Sequence, residues 1–293
     1  MLPTFKKFRF WEITTGRLDQ FLKRQARVSY AHAWHSRLIL NLMFNYALRR
    51  DALHHNPVRG TTGPKQPLTR PVALDLDELH QVRQAVASWR TGPSVSGPPP
   101  DGQVKDVIEV KLGTSERIGE ALALRKRDID DTVRPMQVTV SGTLVVIKGQ
   151  SVYRQDHPKT SSSNRTLQVP NFTADVLRRR LALIEGAHED HLVFFTRVGT
   201  PLSPYDVRRT LQKMLADAGL SDLKVTPHTF RRTAGTVIAR ATDAETAAEV
   251  LGNSPEIAKK HYIEPEASTP IATPAVHLHT LAPRRALPTR PSE

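Results

Sequence analysis

Apolar residues recur every three or four positions through most of this 293-residue chain, a spacing typical of helices that bury one face. The first helix that this spacing predicts carries Leu18, Phe21 and Leu22 on its apolar side. Residues 31–53 predict a second helix, which ends before Pro57 because proline disfavours helix in the residue that precedes it. We expect Trp34, Leu38, Leu42 and Asn45 to form one stripe of this second helix, and Trp34 and Phe44 to lie in the core.

A second region starts after residues 60–71, whose Gly, Pro and Thr content is typical of a linker. Asp75 and Glu78 form the pattern of a capping box and open a predicted helix that runs to Trp89. Between 136 and 170 the chain alternates β-branched and polar residues around a Ser141-Gly142 turn, which predicts a small antiparallel sheet. Helical spacing is also present at 104–112, 116–124, 171–185, 203–218, 228–240, 244–251 and 255–262.

These patterns predict a mainly α fold with a small antiparallel β-sheet, of the α+β class. The length is sufficient for two cores of ordinary size. We expect a basic helical domain at 1–66, a linker at 67–73, a larger mixed domain at 74–265 and a proline-rich tail at 266–293.

Charge adds a first functional indication. The net charge is +13, and residues 1–70 hold thirteen lysines and arginines against three acidic residues, a local net charge of +10. Such a segment favours a nucleic acid as partner, because each neutralised phosphate releases condensed counterions. From charge alone the alternative is simply a basic, soluble surface.

Several classes of function are excluded by what the sequence lacks. Without cysteine it can form neither disulfides, nor a thiolate zinc site, nor a cysteine nucleophile. It has no apolar run long enough to span a membrane, so we expect no membrane partner and a cytoplasmic location. The common phosphate-loop and hydrolase patterns do not occur. The best metal-ligand candidates, Asp128, Asp130 and Asp131, follow a helix and are expected to be solvated, so no metal site is predicted.

Five basic and polar residues stand in a particular order along the second region. Arg117 lies in ERIGEALAL, Lys159 lies in the polar turn PKTSSSNR, and His228 and Arg231 lie three apart in PHTFRRT, so that both project from one helical face. Tyr262 closes a short helix after LGNSPEIAKKH. Each of these residues alone is a weak signal, but their joint order is specific.

In this order the runs ERIGEALALRKRDID, PKTSSSNRTLQVP, PHTFRRTAGT and LGNSPEIAKKHY resemble the catalytic domain of tyrosine recombinases, the phage-type integrase family. The resemblance covers about residues 74–265. It implies that Arg117 and Arg231 hold the scissile phosphate, that Lys159 is the general acid and that Tyr262 is the nucleophile. It further implies that His228 is the histidine of the HxxR motif and that Glu120 supports Arg117.

The implied reaction suits these residue types. Attack on a phosphodiester builds negative charge on the non-bridging oxygens, which two guanidinium groups can stabilise. The covalent 3′-phosphotyrosyl link conserves the bond energy for religation, so we expect no cofactor, metal or ATP. The implied function is integration or excision of a prophage or mobile element.

The basic region before the catalytic domain resembles the family's core-binding domain, a helical domain of the SAM-like type, and we expect it to be truncated at its N-terminal end. We expect it to contact double-stranded attachment-site DNA. A homo-tetramer on DNA and accessory DNA-bending or directionality factors are also implied. The expected DNA contacts are Arg17, Lys23, Arg24, Arg27 and Arg37.

Two departures from the family pattern keep alternatives open. The family usually has His or Trp where this chain has Asn253, which we include among the catalytic residues because an amide can still donate to a phosphate oxygen. We also expect no arm-type DNA-binding domain ahead of the core-binding region. A recombinase relic that only binds DNA is therefore one alternative, and a type IB topoisomerase, which shares the chemistry, is another.

Overall fold

The computed structural model describes residues 2–67, 71–92, 100–156, 164–264 and 279–282. The chain divides into two compact units, Met1–Thr69 and Arg70–Glu293. No helix in the described ranges is long and apolar enough to cross a membrane.

The first unit is a small helical bundle. It contains α1 (Leu2–Phe5), α2 (Thr15–Val28) and α3 (Tyr30–Leu48). The hydroxyls of Thr14 and Ser29 cap α2 and α3 by accepting hydrogen bonds from backbone N–H groups in the first turn of each helix. The core contains Ile13, Leu18, Phe21, Leu22, Leu40, Phe44 and Val58.

The predicted buried stripe of α3 is wrong for three of its members. Trp34, Leu38 and Leu42 are exposed, and Phe44, on the opposite side, is the buried aromatic residue of this helix. Because α3 is apolar on nearly all sides, its spacing did not determine which face packs against α2. The helix also ends at Leu48, earlier than the predicted 53.

Among its described residues the second unit contains eight helices, which pack around two large hydrophobic cores and one smaller one. They are α4 (Leu76–Ser88), α5 (Gln103–Thr114), α6 (Ile118–Ala121), α7 (Asn171–Ala182), α8 (Pro204–Asp217), α9 (Pro227–Ala241), α10 (Ala244–Leu251) and α11 (Pro255–His261). The capping box of Asp75 and Glu78 is present at the start of α4. The predicted helix at 116–124 is reduced to the single turn of α6.

Within the part of the chain that the structure describes, five short strands form two sheets. They are β1 (Ile129–Asp130), β2 (Gln137–Val140), β3 (Thr143–Val145), β4 (Tyr153–Gln155) and β5 (Arg165–Gln168). One antiparallel sheet has the order β1-β2-β5, and β3 pairs with β4 in the other. Ser141-Gly142 therefore connects two sheets, whereas the sequence predicted a turn within a single sheet. A side chain at Gly142 would lie 2.6 Å from the carbonyl oxygen of Gln155, which explains the glycine.

The larger helical core lies between α4, α5, α8 and α9. It includes Leu79, Leu112, Leu211, Phe230 and Ile238. Within the predicted tail, the short turn His279–Leu281 is described, and the side chain of Leu281 is buried in this same core. This core packs α5 against α9, and the ends of these two helices carry most of the residues of the candidate active site.

Candidate active site

Arg117 lies at the point where α5 gives way to α6. Its backbone N–H donates to Glu120 Oε2 at 3.0 Å, and its Nη1 donates to Glu120 Oε1 at 2.6 Å. Its Nη2 donates to the side-chain oxygen of Asn253, also at 2.6 Å. The Arg117 side chain keeps 37% of its surface exposed, so its guanidinium is both oriented and accessible.

Glu120 holds two arginines together. It is 3% exposed, and its Oε2 lies 3.3 Å from Nη2 of Arg165. The Nε of Arg165 donates to the carbonyl of Val250 at 2.8 Å. Burial opposes ionisation of Glu120, but the charges of Arg165 and Arg117 and the hydrogen bonds from Arg117 outweigh it, so that its pKa is lowered. Glu120 therefore stays an anion that aligns Arg117.

Arg231 is the most deeply buried of the site cations. It is 0% exposed, and its Nη1 and Nη2 donate to the carbonyls of Ser115 and Leu251, each at 2.5 Å. Its Nε has no hydrogen-bond partner among the described residues. Burial and the nearby charge of Arg117 lower the pKa of Arg231 to about 10, which still leaves it charged at neutral pH.

Tyr262 follows α11 and lies against the HxxR helix. Its ring centroid is 4.6 Å from the guanidinium carbon of Arg231 and 4.9 Å from the ring centroid of His228. Its backbone carbonyl accepts a hydrogen bond from Thr236 at 3.2 Å. The ring is largely buried, with 8% of the residue exposed. These contacts place the phenol between a permanent cation and an imidazole.

The imidazole of His228 is surrounded by positive charge. Desolvation, followed by the charges of Arg232, Lys111, Arg231 and Arg117, lowers the pKa of His228 to about 4. The ring is therefore neutral at physiological pH and can accept a proton or a hydrogen bond.

Asn253 completes the cluster from the loop between α10 and α11. Its amide oxygen accepts from Arg117, and its amide nitrogen is buried without a hydrogen-bond partner in the described structure. Together with Arg231 Nε this gives two unused donors beside Arg117. An oxyanion is the natural ligand for such a set.

Similarity to known proteins identifies the family of the chain. Residues 78–268 match the phage integrase family, which is more than half of the chain. The chain belongs to the phage integrase family. The tyrosine recombinase XerD of Corynebacterium glutamicum is 24% identical to this integrase over 251 residues, which cover 83% of the chain and 75% of XerD. Membership makes the protein a site-specific DNA recombinase of the tyrosine type.

Solved structures confirm the α+β fold of the integrase. The integrase of the Tn1549 transposon, in complex with transposon right end DNA, has a TM-score of 0.71 at 19% identity and covers 89% of this chain and 84% of its own. A lambda integrase tetramer bound to a Holliday junction has a TM-score of 0.57 at 18% identity, covering 83% of this chain and 62% of its own.

The structure thus brings together six of the residues singled out in the sequence. They are Arg117, Glu120, His228, Arg231, Asn253 and Tyr262. Lys159, the predicted general acid, lies outside the described residues. In the described ranges no group of histidines and carboxylates could hold a metal ion.

Three charged residues of the site were missed by sequence reasoning. Arg165 lies in the quoted run SSSNRTLQVP but received no role, although it shares Glu120 with Arg117. Lys111 and Glu116 are fully buried beside Arg231 and Arg117. The only signal for Lys111 was a single lysine within the apolar run of α5.

One minor expectation about carboxylates was wrong. Asp128 is not solvated but buried, and it accepts hydrogen bonds from Arg125 and Ser141. Arg125 also contacts Asp190 at 3.0 Å, so Asp128 belongs to a structural ion-pair network.

The predicted DNA contacts of the integrase lie on the first unit. Arg17, Lys23, Arg24 and Arg27 are exposed along α2. Arg37 differs, because it is only partly exposed and its Nε donates to Thr61 Oγ1 at 3.1 Å.

Proposed function

We propose that this integrase breaks and rejoins DNA at specific sites through Tyr262. The phenol oxygen attacks the scissile phosphorus, the bond to the 5′-oxygen breaks, and a 3′-phosphotyrosyl link forms. The observation that carries the proposal is the contact of the Tyr262 ring with both Arg231 and His228, beside the guanidinium of Arg117.

Arg117 and Arg231 bind the non-bridging oxygens of the phosphate. Guanidinium groups stay charged and donate in a planar fork, so they stabilise the charge that grows in the transition state. Glu120 orients Arg117, and the carbonyls of Ser115 and Leu251 orient Arg231. The unused amide nitrogen of Asn253 donates to the same phosphate.

Two proton transfers accompany the reaction. A tyrosine phenol ionises near pH 10, about three units above neutrality, so an acceptor for its proton accelerates attack. Neutral His228 supplies that acceptor. The departing 5′-oxygen takes a proton from Lys159, a role that rests on the resemblance of PKTSSSNR to the family motif.

The substrate is double-stranded attachment-site DNA of a prophage or mobile element. The exposed arginines and lysines of α2 supply phosphate contacts. Exchange of two duplexes requires four cleavages, which a homo-tetramer provides. The lambda integrase that shares this fold is a tetramer on a Holliday junction, which supports the same assembly here. DNA-bending or directionality factors are expected to choose between integration and excision.

A nicked duplex tests the proposal. DNA flanking the protein's own gene, with a nick placed to let the released strand diffuse away, traps a covalent intermediate as a slow band on a denaturing gel. We expect the band with the wild type and with Tyr205→Phe, an exposed tyrosine on α8, but not with Tyr262→Phe.

Two further assays distinguish the rival functions. A shift on a native gel without any covalent band would mean that the protein only binds DNA. Relaxation of supercoiled plasmid that lacks an attachment site would favour a topoisomerase.

A further inference from the structure

A lysine is buried at the base of the active site, where no proposed chemical step uses it. Lys111, in the last turn of α5, is 1% exposed, and its Nζ donates to the backbone carbonyl of Glu116 at 2.5 Å. Burying a lysine is costly, because its charge loses hydration. A lysine at this position therefore needs a compensating role.

Its hydrogen bond falls on the peptide that leads directly to Arg117. Two consecutive carbonyls are held by two cations, since Arg231 Nη1 binds the carbonyl of Ser115 and Lys111 binds that of Glu116. The nitrogen of the second peptide is the Arg117 N–H, which donates to Glu120. Lys111 thus fixes one side of the Glu116–Arg117 peptide, and Glu120 fixes the other.

The carboxyl group of Glu116 does not explain why Lys111 is buried. The carboxyl oxygens of Glu116 are buried without a hydrogen-bond partner among the described residues, so the Glu116 side chain does not bind the ammonium. Burial raises the pKa of Glu116 to about 8, and burial with the charge of Arg231 lowers the pKa of Lys111 to about 7. Donation to a carbonyl needs only an N–H, which an ammonium and a neutral amine both have.

We propose that Lys111 is a positioning residue, which locks the Glu116–Arg117 peptide so that the Arg117 guanidinium points at the scissile phosphate. The inference rests on the proposed function, in which Arg117 binds that phosphate. Without Lys111 the buried carbonyl of Glu116 loses its partner and the peptide can rotate. Misplacement of a reacting group by about 1 Å can cost about 100-fold in rate.

A double-mutant cycle tests this role. Lys111→Met keeps the length of the side chain but removes the donor, and we expect it to lower the single-turnover cleavage rate on the nicked duplex about 100-fold while DNA affinity changes less than about threefold. In an Arg117→Ala background, the same Lys111→Met change should alter the residual rate less than about twofold, because Lys111 acts only through Arg117.

A matched control separates positioning from folding. Arg180 is also a buried cation that donates to a carbonyl, that of Val193 at 3.0 Å, but it lies on α7 away from the site. Arg180→Met should change thermal stability without coupling to Arg117→Ala. If Lys111→Met does not fold, Lys111→Ala is scored in the same cycle at the temperature where its circular dichroism matches the wild type.

The outcomes distinguish this inference from the proposed function. Additive effects of Lys111→Met and Arg117→Ala, or an unchanged rate in Lys111→Met, would overturn the positioning role alone. An unchanged rate in Arg117→Ala itself would overturn the phosphate-binding role of Arg117, and the inference with it.

Discussion

At the scale of single residues, the site concentrates positive charge around one buried carboxylate. Arg117, Arg165, Arg231 and Lys111 surround Glu120. Burial, followed by repulsion from the neighbouring positive charges, lowers the pKa of Arg231, Lys111 and His228. Under the proposed function, the DNA phosphate reduces this repulsion when it binds, and the negative charge that grows in the transition state reduces it further.

The lowered pKa of His228 gives a direct prediction. In the DNA-free protein we expect the imidazole carbon resonances of His228 to titrate with a midpoint near 4, against about 6.5 for an unperturbed histidine. Because the unfolded chain takes up this proton first, the free energy of unfolding should fall as the pH drops from about 6.5 towards 4. A midpoint at or above 6.5 in the nuclear magnetic resonance titration would contradict the cationic environment.

Asn253 should act as a donor and not only as a support for Arg117. Asn253→Ala should lower the single-turnover cleavage rate about 100-fold, as loss of one oxyanion donor typically does. Asn253→Asp keeps the oxygen that Arg117 binds but loses the amide N–H, so it should cost at least as much. Near wild-type cleavage by the aspartate variant would show that the residue only supports Arg117.

At the scale of elements, the helices with polar caps were the most predictable part of the fold. Asp75 with Glu78 marks the start of α4 in both sequence and structure, and the predicted starts at 203 and 228 lie within one residue of the starts of α8 and α9. The face of α3 was not predictable, because a helix that is apolar all round has no preferred side on spacing alone. The two-sheet arrangement was missed because β4 has three residues, too few for an alternating pattern of apolar and polar positions to be recognised.

The site was predictable only in part, and for a physical reason. His228 and Arg231 share a helical face, so their meeting followed from spacing. The contact between Arg117 and Asn253 joins residues far apart in sequence, and only the resemblance to the family implied it. Lys111 donates to a backbone carbonyl. Every residue type has such a carbonyl, so no sequence motif could reveal this contact.

The junction between α5 and α6 gives a prediction about stability. Ser115 ends α5 with φ of 57°, in the left-handed region, and its hydroxyl is buried without a hydrogen-bond partner among the described residues. Ser115→Gly removes both the steric strain of a left-handed serine and the buried unpaired hydroxyl, so it should raise the free energy of unfolding by about 1 kcal/mol. Ser115→Ala, which removes only the hydroxyl, should gain less. A lower unfolding midpoint for the glycine variant in a denaturant titration would contradict this account.

At the scale of the whole molecule, charge is divided unequally between the two units. The first unit, Met1–Thr69, holds twelve lysines and arginines against three acidic residues and so carries +9 of the net +13, and the candidate active-site residues all lie in the second unit. Affinity for the DNA backbone should therefore depend mainly on the first unit and chemistry on the second. This division separates variants that weaken binding from variants that slow cleavage.

The salt dependence of DNA affinity measures how many phosphate contacts the first unit makes. Arg24→Ala with Arg27→Ala should reduce the slope of log affinity against log salt concentration by about 2, since each lost phosphate contact is worth about 0.9. Arg179→Ala removes a surface arginine that already pairs with Asp106 and should leave the slope unchanged. An unchanged slope in the double variant would mean that α2 does not contact DNA.

The central claim is that Tyr262 becomes covalently joined to the 3′ end of the cleaved strand. The most direct measurement is mass spectrometry of the trapped protein–DNA complex after nuclease and protease digestion. The account predicts a nucleotide adduct on the peptide that contains Tyr262, together with a 5′-hydroxyl on the released strand. An adduct on another residue, or a phosphate on the released 5′ end, would contradict it.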